Sequence, residues 1–196
     1  MKARAKEAVA VGFTIKSGWA AAVLLDGSDA VPRVLDSRHV AISDPDVADS
    51  TQPYHAGFGT ARDAGDELKR LVSLVKIYGR KSVTAVLREY QKQATLRGAG
   101  VIVGSLIDPE TIGSDHIRIH AREGQLFRTV VIEAAETQGL TCSVCRERDL
   151  YADAAKALKK SEAAIRKTLS EIGRHVESGW RAEQKAAALG AWMIVK

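Results

Sequence analysis

Short apolar runs open the chain. VAVGFTI and WAAAVLL are dense in Val, Ala and Leu and predict strands over 9–15 and 19–25. Lys16, Ser17 and Gly18 form the turn between them. A second turn, Asp26-Gly27-Ser28-Asp29, leads into a third strand over 31–42. The polar stretch 43–59, with Pro45, Pro53, Gly57 and Gly59, reads as the longest loop and as a candidate mobile segment. Beyond it the apolar spacing changes. Leu68, Leu71, Val72, Leu74 and Val75 predict a helix over 63–78 that stops at Gly79, and Val83, Val86, Leu87 and Tyr90 predict a second over 82–97. Gly98 and Gly100 precede a buried-type strand over 101–107. Ser114 is placed to cap a long helix over 115–138 that Gly139 stops, and a fifth strand follows over 140–145. Three helices, over 146–159, 161–172 and 180–195, complete the chain.

A three-strand meander followed by alternating helices and strands predicts an α/β fold: a mixed five-stranded sheet with helices on both faces. Such sheets bind ligands beyond the carboxyl ends of their strands. At 196 residues the chain is expected to form one domain with a full core. It has no apolar run of about 18 residues, so no membrane span is expected. The basic start MKARAKEAVAVGF runs straight into the first strand and lacks a signal-peptide cleavage pattern. Two cysteines do not make a disulfide framework, which points to a reducing cytoplasm. The net charge is +5, and the segment 146–196 holds 11 Lys and Arg against 7 Asp and Glu. A basic balance fits a polyanion such as nucleic acid, and equally a solvated helix surface.

Four segments carry a family resemblance. GFTIKSGWAAAVL, HIRIHAREGQLFRTVVIEAAETQGL, CSVCRERDLYADAAKAL and WRAEQKAAALGAWMIV resemble the opening hairpin, the long helix, the fifth strand with its helix, and the last helix of the ribonuclease H-like superfamily. Within it the chain is most similar to the bacterial Holliday-junction resolvase (RuvC-like) branch. The resemblance implies a nuclease-like site in which acids from the first strand, the fourth strand and the last helix hold Mg²⁺. Two such ions clamp the attacking and leaving oxygens of a phosphodiester. This sequence departs at each place. It has Thr14 in the first strand and Ser105 in the fourth, and the last helix offers Glu183 and then Lys185. An ammonium contacts phosphate but does not ligate Mg²⁺.

Other polar residues stand in candidate positions. His116, His120, Glu123, Phe127, Val131 and Ala134 share one helical stripe. Its later half is apolar and faces the core, so its first turns point His and Glu inward at a helix N-terminus, where anions are favoured. Ser105, Asp108, His116 and His120 then outline a phosphate or carboxylate site. The alternative is a structural network in which Glu123 pairs with Arg118 or Arg128. Asp108-Pro109 has the form of a helix start, yet Asp108, Glu123 and Glu183 are also the carboxylates a rebuilt metal site would use. Trp180, beside Arg181, either stacks on a base or seals one end of the core. Lys16 and Ser17 sit where a hairpin turn touches phosphate in related folds. Cys142-x-x-Cys145 and His116-x-x-x-His120 have metal-like spacing, but residues three apart on a strand point to opposite faces.

Three functional readings follow: a non-cleaving member that binds nucleic acid or a protein partner, an Mg²⁺-dependent nuclease with relocated ligands, and a phosphate-recognising enzyme using His116, His120 and Lys185. Only the nuclease reading calls for a cofactor, Mg²⁺. A homo-oligomer is compatible with each.

Overall fold

Eight residues, Val9–Lys16, form strand β1, and all but Lys16 are buried. A strand covered on both faces needs a near-continuous apolar run, which this segment supplies. A computed structural model of the chain describes residues 9–57, 60–62, 64–176 and 179–196. The basic N-terminal segment and the expected helix start at Asp63 lie outside the described residues. β1 pairs antiparallel with β2 (Trp19–Asp26), which pairs antiparallel with β3 (Arg33–Ala41). On its other side β1 runs parallel to β4 (Leu96–Val103), and β4 parallel to β5 (Cys142–Arg146). The order is β3-β2-β1-β4-β5, the mixed five-stranded sheet the sequence predicts.

The sheet separates two apolar cores. Val9, Val11, Phe13 and Ile15 of β1 point toward helices α1 (Asp66–Gln93) and α2 (Asp115–Thr137). Ala10 of β1, with Ala21, Val23 and Leu25 of β2, faces α3 (Leu150–Leu158), α4 (Glu162–Ile172) and α5 (Ala182–Val195). Among the described residues, no helix is long and apolar enough to cross a membrane.

Two expectations from the sequence are corrected. The helices expected over 63–78 and 82–97 are one continuous helix of 28 residues. Gly79 does not stop it. A Cβ there would lie 2.6 Å from Ile42 Cγ2 and 2.8 Å from Val130 Cγ1, so the glycine lets α1 sit down on the sheet and on α2. The packing outweighs the penalty of about 1 kcal/mol for a glycine inside a helix. The fourth strand begins at Leu96 rather than Val101 and takes in Gly98 and Gly100. It ends at Val103, so Gly104–Ile107 run off the sheet, leaving Leu106 and Ile107 exposed.

The reason for Gly100 is α5. Its sequence, AEQKAAALGAWMIV, is nearly all small and apolar, and Ala186–Trp192 are buried. α5 lies against β1 and β4 at backbone distance. A Cβ on Gly12 would fall 1.7 Å from the Ala187 carbonyl oxygen, and one on Gly100 2.4 Å from the Gly190 carbonyl.

At the opposite face, β3 is tied to α1 by a polar cluster. The buried Tyr90 hydroxyl donates to the Asp36 carboxylate, Arg38 Nε donates to it at 2.5 Å, and Arg38 also bonds Glu89 at 2.8 Å. Burial pushes the Asp36 pKa up, but the Arg38 and Tyr90 hydrogen bonds outweigh it and hold the carboxyl below its usual range. Burial and the Asp36 charge keep the Tyr90 hydroxyl protonated and donating.

Two outcomes are expected. Gly12→Ala should lower unfolding stability by about 2–4 kcal/mol in a urea titration, because the added methyl meets backbone that cannot rotate away. Tyr90→Phe should cost about 1–2 kcal/mol near neutral pH. Asp36 has a depressed folded pKa, so its contribution is present above its ordinary range and lost as pH falls through the folded value. The difference between Tyr90→Phe and the parent should therefore shrink on acidification below about pH 4.

Candidate functional site at the carboxyl edge of the sheet

The parallel strands β1, β4 and β5 end side by side, and a cleft of about 380 Å³ opens beyond them. Its floor is Ile15, Val103 and Phe127, and Lys16, Ser17, Gly104, Ser105 and Glu147 rim it. His120 and Ile117 of α2 form one wall. The exposed Ile107 lines the same cleft, next to the exposed Leu106. Lys16 Nζ donates to Glu147 Oε2 at 3.0 Å across the strand ends. Ser105 holds the rim in shape: its Oγ accepts from the Ile107 N–H at 3.1 Å, and its carbonyl accepts from Arg128 at 2.8 Å.

Beside the cleft, α2 carries the polar turns that the sequence points inward. Glu123 is 1% exposed and His120, on the same stripe one turn earlier, has a half-exposed ring. The buried carboxylate does not pair with Arg118 or Arg128. Arg118 bonds Asp115 and the Ile112 carbonyl, while Arg128 bonds the Ser105 carbonyl. Its partner is His55, which sequence reasoning missed. His55 Nδ1 lies 2.8 Å from Glu123 Oε1, and His120 Nδ1 lies 3.8 Å from Glu123 Oε2. The three rings crowd together, with centroids 4.9 Å apart for His55 and His120 and 4.7 Å for His116 and His120. Burial raises the Glu123 pKa against the opposing pull of the His55 hydrogen bond. Burial, then repulsion from His55 and His116, lowers that of His120, which is therefore a neutral imidazole near pH 7.

His55 reaches α2 because the long polar segment is tied down. It contains a 3₁₀ turn, Ala48–Thr51, and the Tyr54 carbonyl accepts from the Arg62 N–H at 2.7 Å. Arg62 also donates to the Pro53 carbonyl and to Asp49. A lone histidine in an aperiodic loop carries no pattern signal. The available hint was indirect: an inward-facing Glu123 demands a buried partner from elsewhere.

The remaining candidates are dispersed. Thr14 is 1% exposed and its Oγ1 has no hydrogen-bond partner, so it is packed into the core rather than presented at the cleft. Asp108 accepts from the Glu110 N–H at 3.0 Å and caps the 3₁₀ turn Pro109–Thr111, the helix-start role. Glu183 and Arg181 line a different cleft with Trp19, Arg38 and His39. Lys185 lines a third, with Glu147, Tyr151 and Arg166. The three carboxylates of the rebuilt metal site thus fail to converge: Asp108 and Glu183 have other neighbours, and Glu123 faces histidines. Cys142 and Cys145 are free, and burial pushes both thiols up to about 11. Trp180 donates through Nε1 to the Leu169 carbonyl at 2.6 Å, and its ring covers Gly173, where a Cβ would lie 2.0 Å from it. It seals the junction of α4 and α5. Trp180→Phe should cost about 1–2 kcal/mol in a denaturant titration, from the lost hydrogen bond and packing.

No family model matches the chain, and no curated protein matches it by sequence. Solved structures do. One is titled "Thermus thermophilus RuvC structure"; it matches at 13% identity with a TM-score of 0.55, over 94% of this chain and 92% of that one. A second, "T. thermophilus RuvC in complex with Holliday junction substrate", matches at 14% identity and a TM-score of 0.51, over 95% of this chain and 90% of that one. Sheet order, helix placement and these likenesses together establish the fold: this chain has the ribonuclease H-like α/β fold in the form seen in RuvC.

Proposed function

We propose that this chain binds nucleic acid along the carboxyl edge of its sheet and does not cleave it by the two-Mg²⁺ route. One observation carries the reading: the carboxylates that such chemistry needs do not meet. At the strand ends stand Lys16, paired with Glu147, and Gly104 and Ser105, with Thr14 buried below, and the acids eligible for a rebuilt site are a cap, a member of a histidine cluster and the wall of another cleft. Mg²⁺ takes hard oxygen ligands in near-octahedral order, and a single carboxylate among imidazoles is a poor match. The Lys16 ammonium and the Ser17 and Ser105 hydroxyls suit phosphate oxygens, and exposed Leu106 and Ile107 offer apolar surface to bases. The net charge of +5, with its surplus in the last helices, favours a polyanion. A similar fold, RuvC, has been captured with a Holliday junction.

The test is gel-shift binding and cleavage on a labelled four-way DNA junction and on single-stranded RNA, with and without Mg²⁺ or Mn²⁺. Binding is expected, with affinity falling steeply as salt rises and no metal-dependent product. Lys16→Ala should weaken binding across sequences and reduce the log–log salt slope by about 1. Absence of binding at low salt would turn the reading toward a protein partner. Mg²⁺-dependent cutting lost in Glu183→Ala would restore the nuclease.

A further inference from the structure

The cluster on α2 has a property that nucleic-acid binding leaves unused. A carboxylate with almost no solvent exposure takes a hydrogen bond from His55 at Oε1 and is held by the Tyr54 backbone N–H as well, while Oε2 makes no close hydrogen bond. A buried carboxylate oxygen without a partner is costly, and a fold retains one where something else satisfies it. Facing that oxygen is His120, whose Nδ1 lies 3.8 Å away. Among the described residues, His55, His120 and Glu123 alone form a group of three that could hold a metal ion, their donor atoms within 4.8 Å of one another.

We propose that His55, His120 and Glu123 form a binding site for one divalent cation of the Zn²⁺ class. Two imidazoles and one carboxylate are a ligand set for borderline transition metals, and three protein ligands leave a coordination position for water or a bound molecule. Tetrahedral bonds of about 2.0–2.1 Å place donors roughly 3.3–3.5 Å apart. His55 lies 2.8 Å from one Glu123 oxygen and His120 3.8 Å from the other, with all three donors within 4.8 Å of one another, so small side-chain adjustments bring them to that spacing. The ligands come from supports of different kinds. Glu123 and His120 are fixed three apart on one helix, and His55 is delivered by the hydrogen-bonded loop. His116 stands edge-on to the His120 ring. Burial decreases outward, from Glu123 at 2% side-chain exposure through His55 at 14% to His120 at 48%, which leaves the solvent side of the metal open. His120 also lines the cleft at the strand ends, so an ion held here stands next to whatever the cleft binds. The site is separate from the Cys142 and Cys145 thiols, which lie on β5.

The proposal is independent of nucleic-acid binding and is tested without it. The full chain, stripped with chelator, is titrated with Zn²⁺ by calorimetry and with Co²⁺ by visible absorption, and its melting is followed with and without Zn²⁺. One ion per chain, a raised melting temperature and Co²⁺ d–d bands without thiolate charge transfer are expected. His120→Ala removes an exposed ring and should fold as the parent does, but bind Zn²⁺ at least about tenfold more weakly. Glu123→Gln, which keeps shape and removes charge, should behave likewise. No Zn²⁺ or Co²⁺ binding by the parent would overturn the assignment. So would a loss below tenfold in His120→Ala, or a cobalt–thiolate band that places the metal on the cysteines.

Discussion

The contact between α5 and the middle of the sheet is made backbone to backbone, and the rest of the molecule is arranged around it. Gly12 on β1 and Gly100 on β4 face Ala187 and Gly190 so closely that a single methyl group does not fit. A helix lying this near a sheet cannot present large side chains to it, which explains the run of alanines and the glycine in the last helix. Bulk moves to the periphery instead: Trp192 is fully buried, and Leu150, Leu158, Ile165 and Leu169 of α3 and α4 fill the space around the flat contact.

The other face works on the opposite rule. α1 and α2 stand on large residues, Phe13, Tyr90, Phe127 and Leu87 among them, with Gly79 the one point of close approach to Ile42. Because α2 is longer than the part of the sheet it covers, its first turns project past the ends of β1 and β4. Apolar residues have no sheet to pack on there. Histidines and a glutamate occupy those turns, and the loop that carries His55 closes over Glu123 and removes it from water. The titratable groups of this region thus gather on the helix stripe rather than at the strand ends, where Thr14 is buried and Ser105 holds the rim. Desolvation is what gives the stripe its character: it raises the Glu123 pKa and lowers that of His120, favouring the uncharged form of each.

Much of this was legible in the residues alone. Apolar runs and turn chemistry pointed to five strands in a mixed sheet, though the fourth was placed too late, because a strand buried on both faces and a helix buried on one leave different patterns in the sequence. Glu123 was readable as an inward-facing charge from its stripe, and Asp108 as a cap from the proline after it. Local rules misled where long-range packing reversed them. Gly79 and Gly98 look like punctuation, and in the folded chain each is a contact point inside a continuous element.

The partner of Glu123 belongs to a different category. The sequence by itself determined that a carboxylate would be buried near a helix start, since the periodicity of α2 allows no other orientation. It did not determine which group would meet it. His55 lies 68 residues away in an aperiodic loop, and its approach is set by backbone hydrogen bonds of that loop and by Arg62. The separation of Glu183 from Glu123 was decided the same way. α5 and α2 pack on opposite faces of the sheet, and only the tertiary arrangement fixes which side chains of two distant elements share a volume.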